Sequence, residues 1–310
     1  MHRTGLYGKV TGILAIVLLL CVAAGAAGEE RTDSSGQWTY VPQSGGATLA
    51  GYQEEPSGML TLPPVLDGYA VTAIGDSLFE MNRGMTGVVI PGGIRSIGSA
   101  AFAYCENLTA VTLPEGLETI GESAFYYCFG LKDIVLPENV TGIGGGAFMG
   151  CVSLTAVTIP GGLTQIGSEV FAECTNLARV VISRGVTDIR DAFYNCTSLQ
   201  DVVIPDTVVS IGDGAFTGCK SLTGVIIPGS VTAIGRAAFA WCSELTSVYI
   251  PASVMEIGEH AFDAPGTSAY DDVTGETFFG SNKLVLRVDR DSAAEGFALD
   301  NGIPYVIVSE

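Results

Sequence analysis

Seven cysteines, Cys105, Cys128, Cys151, Cys174, Cys196, Cys219 and Cys242, recur every 23 residues with one step of 22, each three residues after a phenylalanine. A thiol can act as nucleophile, metal ligand or disulfide partner, and the spacing decides among these. Residues that share one register of a repeat should form an interior ladder, one rung per turn of the chain, where cysteine serves as a small apolar filler. In an oxidising compartment neighbouring rungs could pair, yet equal environments give no rung a preferred partner and disulfide geometry is exacting. Buried free thiols are the expectation. Stacked rungs cannot surround one ion tetrahedrally and no C-x-x-C is present, so no zinc site, and no other cofactor, is expected. His260 is the one histidine beyond the first residues, in Gly258-Glu259-His260-Ala261-Phe262, where other repeats place Ser123 or Ala237. Any Ser-His-Asp or Cys-His arrangement would have to run through it, and nothing nearby resembles a nucleophile turn. Carboxylates are scattered over loops, and Asp271, Asp272 and Glu276 lack the order of a calcium-binding loop. The residues offer no catalytic equipment, and a non-enzymatic protein is expected.

The elements that would position these groups follow from a repeat. Phenylalanine stands at Phe79, Phe102, Phe125, Phe148, Phe171, Phe193, Phe216, Phe239 and Phe262, and proline keeps the same beat at Pro91, Pro114, Pro137, Pro160, Pro205, Pro228 and Pro251. Apolar residues alternate just before each proline, as in Val157 and Ile159, which predicts a short strand with one buried face. Proline, lacking an N–H, ends it. Glycine after isoleucine (Gly98, Gly121, Gly144) marks a turn that is crowded or needs positive φ. One unit cannot enclose a core, so units must stack into a solenoid, their parallel strands forming a continuous sheet along one side.

The first residues read as an export signal. His2, Arg3 and Lys9 precede an apolar run from Val10 to Ala24, followed by small residues fit for cleavage near residue 26. The run is shorter than the roughly 20 residues that span a bilayer, which disfavours an uncleaved anchor. Tyr305 to Glu310 give no apolar tail, and no C-terminal anchor is expected. Loss of residues 1–26 changes 14 basic against 33 acidic residues to 12 against 33, so the net charge moves from −19 to −21. Such a surface repels phosphate backbones and anionic lipid heads, so neither nucleic acid nor membrane insertion of the mature chain is expected.

The unit I-G-x-x-A-F-x-x-C-x-x-L-x-x-V-x-I-P resembles the repeats of the BspA-type leucine-rich repeat surface proteins of bacteria. The flanks are similar too: Trp38–Tyr52 and Leu60–Val71 resemble the family's N-terminal cap, and Lys283–Val288, Ser292–Ala294 and Asn301–Tyr305 its closing strand, helix and final strand. The resemblance implies a leucine-rich repeat solenoid of the α/β-type repeat class, rich in β structure. It would be a curved stack of 22–23-residue repeats with a parallel sheet on one side and a cap at each end. The divisions expected are 1–26 (signal), 27–70 (N-terminal cap), 71–265 (repeats) and 266–310 (loop insertion and C-terminal cap). It also implies a secreted or cell-surface protein-binding role in adhesion or host or cell recognition, with host matrix or another cell surface as partner. The alternative is a structural or glycan-binding component of a cell-envelope assembly.

Two sites offer themselves for a ligand. Between the buried apolar positions of each strand, Val89, Thr112, Val135, Thr158, Val181, Val203, Ile226 and Tyr249 should point to the open, concave side. Strand propensity alone favours such residue types, while a shallow apolar track from Thr158 to Tyr249 would also suit a partner. The repeat near residues 183–193 is irregular: Ser183 replaces proline, Arg190 replaces glycine, and one residue is missing before Phe193. Arg179, Arg184 and Arg190 gather there in the sequence. Either they pair with Asp188 and Asp191, or they form a bend with an anion-binding patch.

Overall fold

The computed structural model describes residues 28–263 and 283–309. The segment expected to be a leader (1–26) and the one with Asp271, Asp272 and Glu276 lie outside the described residues. The chain winds as a β-solenoid in which each coil lays the same residue types on those of its neighbour. Strand Ala156–Ile159 pairs in parallel with Arg179–Ile182, setting Val157 on Val180 and Ile159 on Ile182. Valine and isoleucine bury inward while the residues between them face out, as the two-residue period requires. A second ladder is made by the two-residue strands at each Ile-Gly, such as Gln165–Ile166 with Asp188–Ile189 and Ser210–Ile211 with Ala233–Ile234. The repeats are free of helix among the described residues. The helix Ala293–Asp300 belongs to the C-terminal end.

A third ladder runs along the turns that carry phenylalanine. The amide of Phe102 donates to the carbonyl of Ala124 at 2.8 Å, and that of Tyr104 to Tyr126 at 2.7 Å. The turn reaches both neighbours by placing two residues per coil at positive φ, for example Ala100 and Tyr104, then Ser123 and Tyr127, then Gly146 and Gly150. The glycine after isoleucine has a different reason: a Cβ on Gly98 would stand 2.6 Å from the amide nitrogen of Asp76, and one on Gly121 2.5 Å from that of Ser99. Crowding, not positive φ, selects glycine there.

The expected continuous sheet is not what forms. The strand-face ladder falls into three pieces, ending after Ala110–Thr112, resuming at Ala156–Ile159, ending again after Asp201–Val203 and resuming at Gly224–Ile226. Around Asp133 only an isolated bridge to Ala110 remains. The second ladder also stops, between Gly142–Ile143 and Gln165–Ile166. At this junction the turn ladder persists through Gly146 to Ser168, Phe148 to Val170 and Gly150 to Ala172.

The core is a column of stacked rings. From Phe79 to Phe262 successive centroids are 5.1–5.8 Å apart, and the widest spacing, 5.8 Å between Phe171 and Phe193, falls at the coil that lacks one residue. In that coil the first positive-φ position is missing, since Asn195 has a φ of 56° and no residue before Phe193 in the turn does. The seven cysteines are buried and free, and each thiol donates to the carbonyl of the phenylalanine one coil back, at 3.1–3.3 Å.

Both ends of the column are closed. Tyr52 stacks on Phe79 at 5.7 Å and Trp38 meets it edge-on, both from the antiparallel pair Trp38–Gln43 and Gly46–Tyr52. At the other end Phe297 meets Phe262 edge-on at 6.0 Å. Its helix starts at Ser292, whose hydroxyl accepts from the Glu295 amide while the Glu295 carboxylate accepts from the Asp291 amide, which fixes the first turn. Strands Val285–Asp289 and Tyr305–Ser309 add in parallel beyond Ser247–Ile250.

Candidate functional site

The strand face sets the predicted stripe outward. Val135 is 81% exposed and Ile226 76%; Thr158 and Val203 are exposed, and Val181 and Tyr249 half-buried. Register brings these residues together in two groups. Thr158 lies beside Val181 and Val181 beside Val203, while Ile226 lies beside Tyr249 and Tyr249 beside Arg287. The ladder break after Val203 separates the groups. Arg287, and Val306 beside it, extend the stripe into the cap. Sequence reasoning missed them, although buried Leu286 and Val288 repeat the alternation that would have revealed them.

The other break makes a cavity of about 540 Å³. Ile134, Val135 and Leu136 line one side, and Thr158, Val181 and Arg179 the other. One backbone bond, from the Thr155 amide to the Lys132 carbonyl at 3.3 Å, joins the two coils here, and apolar side chains stand beside backbone groups.

The three arginines are distributed around their coil. Arg179 lies on the strand, Arg184 in the turn after it, and Arg190 past the second-ladder strand Asp188–Ile189. Each has its own acid: Arg179 with Asp201 at 3.5 Å, Arg184 with Asp206 at 2.8 Å and Arg190 with Asp188 at 3.6 Å. All are solvent-exposed pairs, each contributing about 0–1 kcal/mol. Of the pairings expected, Asp188 is found, and Asp201 and Asp206 from the following coil take the other two arginines.

His260 sits at a positive-φ turn position, equivalent to Ser123 and Ala237, and its Nδ1 is 2.6 Å from Asp263 Oδ2. Among the described residues no group of three or more His, Cys, Asp or Glu side chains could hold a metal ion. The thiols are poor nucleophiles, because burial pushes Cys105, Cys174 and Cys242 up to about 12 and the other four well above the ordinary range.

Parallel coils of one unit, packed around a ring column and closed by caps, define a leucine-rich repeat solenoid. The model of the BspA type leucine rich repeat region matches in six copies over residues 72–192 and 190–268, and the chain belongs to that family. Among solved structures, it is similar to a leucine-rich repeat protein from Bacteroides ovatus, at 27% identity over 81% of this chain and 70% of the other, with a TM-score of 0.58. It is also similar to the T. pallidum leucine rich repeat protein, at 27% identity over 67% of this chain and 87% of the other, with a TM-score of 0.50. No match was found among curated proteins.

Proposed function

We propose that this protein is a non-catalytic recognition solenoid, secreted or held at the cell surface, that binds a protein partner in adhesion or in host or cell recognition. The observation that carries the reading is the strand face itself. Side chains from successive coils, Thr158, Val181 and Val203 and then Ile226 and Tyr249, stand in register and open to solvent with a cavity at one end. Large exposed apolar groups such as Ile226 cost solubility unless a partner uses them. The leader-like residues 1–26 support export, and 27–70, 71–265 and 266–310 serve in this reading as cap, binding array and closing region. Arg179, on the cavity wall, is the arginine placed to take part; Arg184 and Arg190 would contribute at the edges of the array.

The test is a panel of matrix proteins and a glycan array, followed by Ile226→Glu with Tyr249→Ala. Binding to a protein from the panel should weaken about tenfold or more, as for loss of a buried anchor of about 1–2 kcal/mol, with the melting temperature retained. Unchanged affinity in a folded variant rules the stripe out. Capture of glycans alone would favour an envelope or glycan-binding component.

A further inference from the structure

A second surface lies on the turn side, away from the strand face. Tyr104 and Tyr127 stack with centroids 5.9 Å apart and planes 4° from parallel, Tyr126 meets them edge-on at 5.4 and 4.4 Å, and Phe129 closes against Tyr127 at 5.5 Å. Phe129 is exposed and the tyrosines are half-exposed, so this is a platform open to solvent. Its cause is the turn geometry. The second residue after each core phenylalanine adopts positive φ, and over four successive coils that place is held by Tyr104, Tyr127, Gly150 and Glu173. Gly150 leaves its coil bare, since a Cβ there would stand 2.5 Å from Tyr127 Cδ1. The Tyr127 ring therefore crosses the whole coil, and its hydroxyl donates to Glu173 Oε2 at 2.7 Å.

Charge decides what such a platform would hold. Glu169, at the other positive-φ place of the Glu173 coil, adds a second carboxylate, and both lie within electrostatic reach of Tyr126. The phenol of Tyr127 is held well above its ordinary range, first by its bond to the Glu173 carboxylate. Among the described residues neither glutamate makes an ion pair. The turn segments 77–83, 100–106, 123–129, 146–152, 169–175 and 191–197 carry Glu80, Glu106, Glu169, Glu173 and Asp191, against Arg83 as their one base, and Arg83 is already paired with Glu106 at 2.8 Å. Ring faces attract cations within about 6 Å of the centroid, most when carboxylates stand beside them. A neutral sugar could stack on the same rings and donate hydroxyls to the carboxylates, but only a cation is drawn by their net charge, and that attraction is the one that salt screens.

We propose that Tyr104, Tyr126, Tyr127 and Phe129, with Glu169 and Glu173, form a docking surface for a basic segment of a partner protein, whose arginine or lysine lies over the tyrosine faces with its charge met by the two glutamates. This assignment stands independently of the strand-face reading.

The test titrates the purified protein with a tetra-arginine peptide by calorimetry. Saturable one-to-one binding is expected, lost when salt is raised to about 1 M, where the Debye length falls to about 3 Å. Tyr104→Asn with Tyr127→Asn should weaken it about tenfold. The turn accepts asparagine, since Asn195 holds the equivalent place at a φ of 56°. Glu169→Gln with Glu173→Gln should weaken it about fivefold or more, while Glu54→Gln with Glu259→Gln, removing equal charge elsewhere, should stay within about twofold. The proposal is overturned by absence of binding, by equal loss in the control pair, or by cellotetraose binding to the same rings without response to the glutamate changes. Should the tyrosine variant fail to melt cooperatively, the two glutamate pairs decide alone.

Discussion

At the scale of single residues, the cysteine ladder carries the clearest physical argument. Each thiol fills a small apolar space and also gives a second hydrogen bond to a phenylalanine carbonyl that already accepts from the amide three residues on, as Phe125 does from Cys128 at 3.2 Å. The space filled by sulfur and this weak additional bond together favour cysteine over alanine at every rung. The spacing made burial legible in the sequence. The donor role was not, because it depends on the offset of one coil against the next. A pH dependence follows. Burial holds the thiols protonated in the folded chain, Cys105, Cys174 and Cys242 up to about 12 and the other four well above the ordinary 9.0, so the unfolded state loses protons first as pH rises. Stability from this source is complete below about pH 9 and declines between about pH 9 and 12. Urea midpoints measured across that range should fall steadily, and less steeply in Cys151→Ala, although that variant starts lower; a flat profile in the parent would contradict buried protonated thiols.

At the scale of the element, the turn ladder shows where sequence reading ends. The phenylalanine and proline beats disclosed the strand and the core, because those side chains are chosen by burial and by the missing N–H. The residues at positive φ, among them Ala100, Ser123, Tyr127, Glu169 and His260, share no type, since bonds between coils impose the conformation. Hence the aromatic run Tyr126-Tyr127-Cys128-Phe129 was visible as letters but not as a platform. The ladder breaks were equally hidden, because Ile134-Val135-Leu136-Pro137 obeys the repeat as its neighbours do. The backbone cost at these turns can be measured with opposite signs. Ala100→Gly should raise stability and Gly146→Ala lower it, each by about 1 kcal/mol, because a Cβ on Gly146 meets nothing nearer than 3.6 Å and the change is one of backbone alone. Urea midpoints moving in the same direction for both would refute the strain argument.

At the scale of the whole molecule, coils interact only with neighbours, so the ends govern solubility. Phe297 and the strands Val285–Asp289 and Tyr305–Ser309 cover Phe262 and the last strand edge. A chain cut after Asp263 should expose both, and light scattering should report aggregation at concentrations where the full chain is monodisperse. The junction between the Phe148 and Phe171 coils has a mechanical meaning as well. This is the junction at which both strand ladders stop, so the turn seam bears most of a pull along the axis, with the Tyr127 to Glu173 bond as a strap across the crease. Under tension along its axis, the rod would yield first at that joint, leaving the coils on either hand intact.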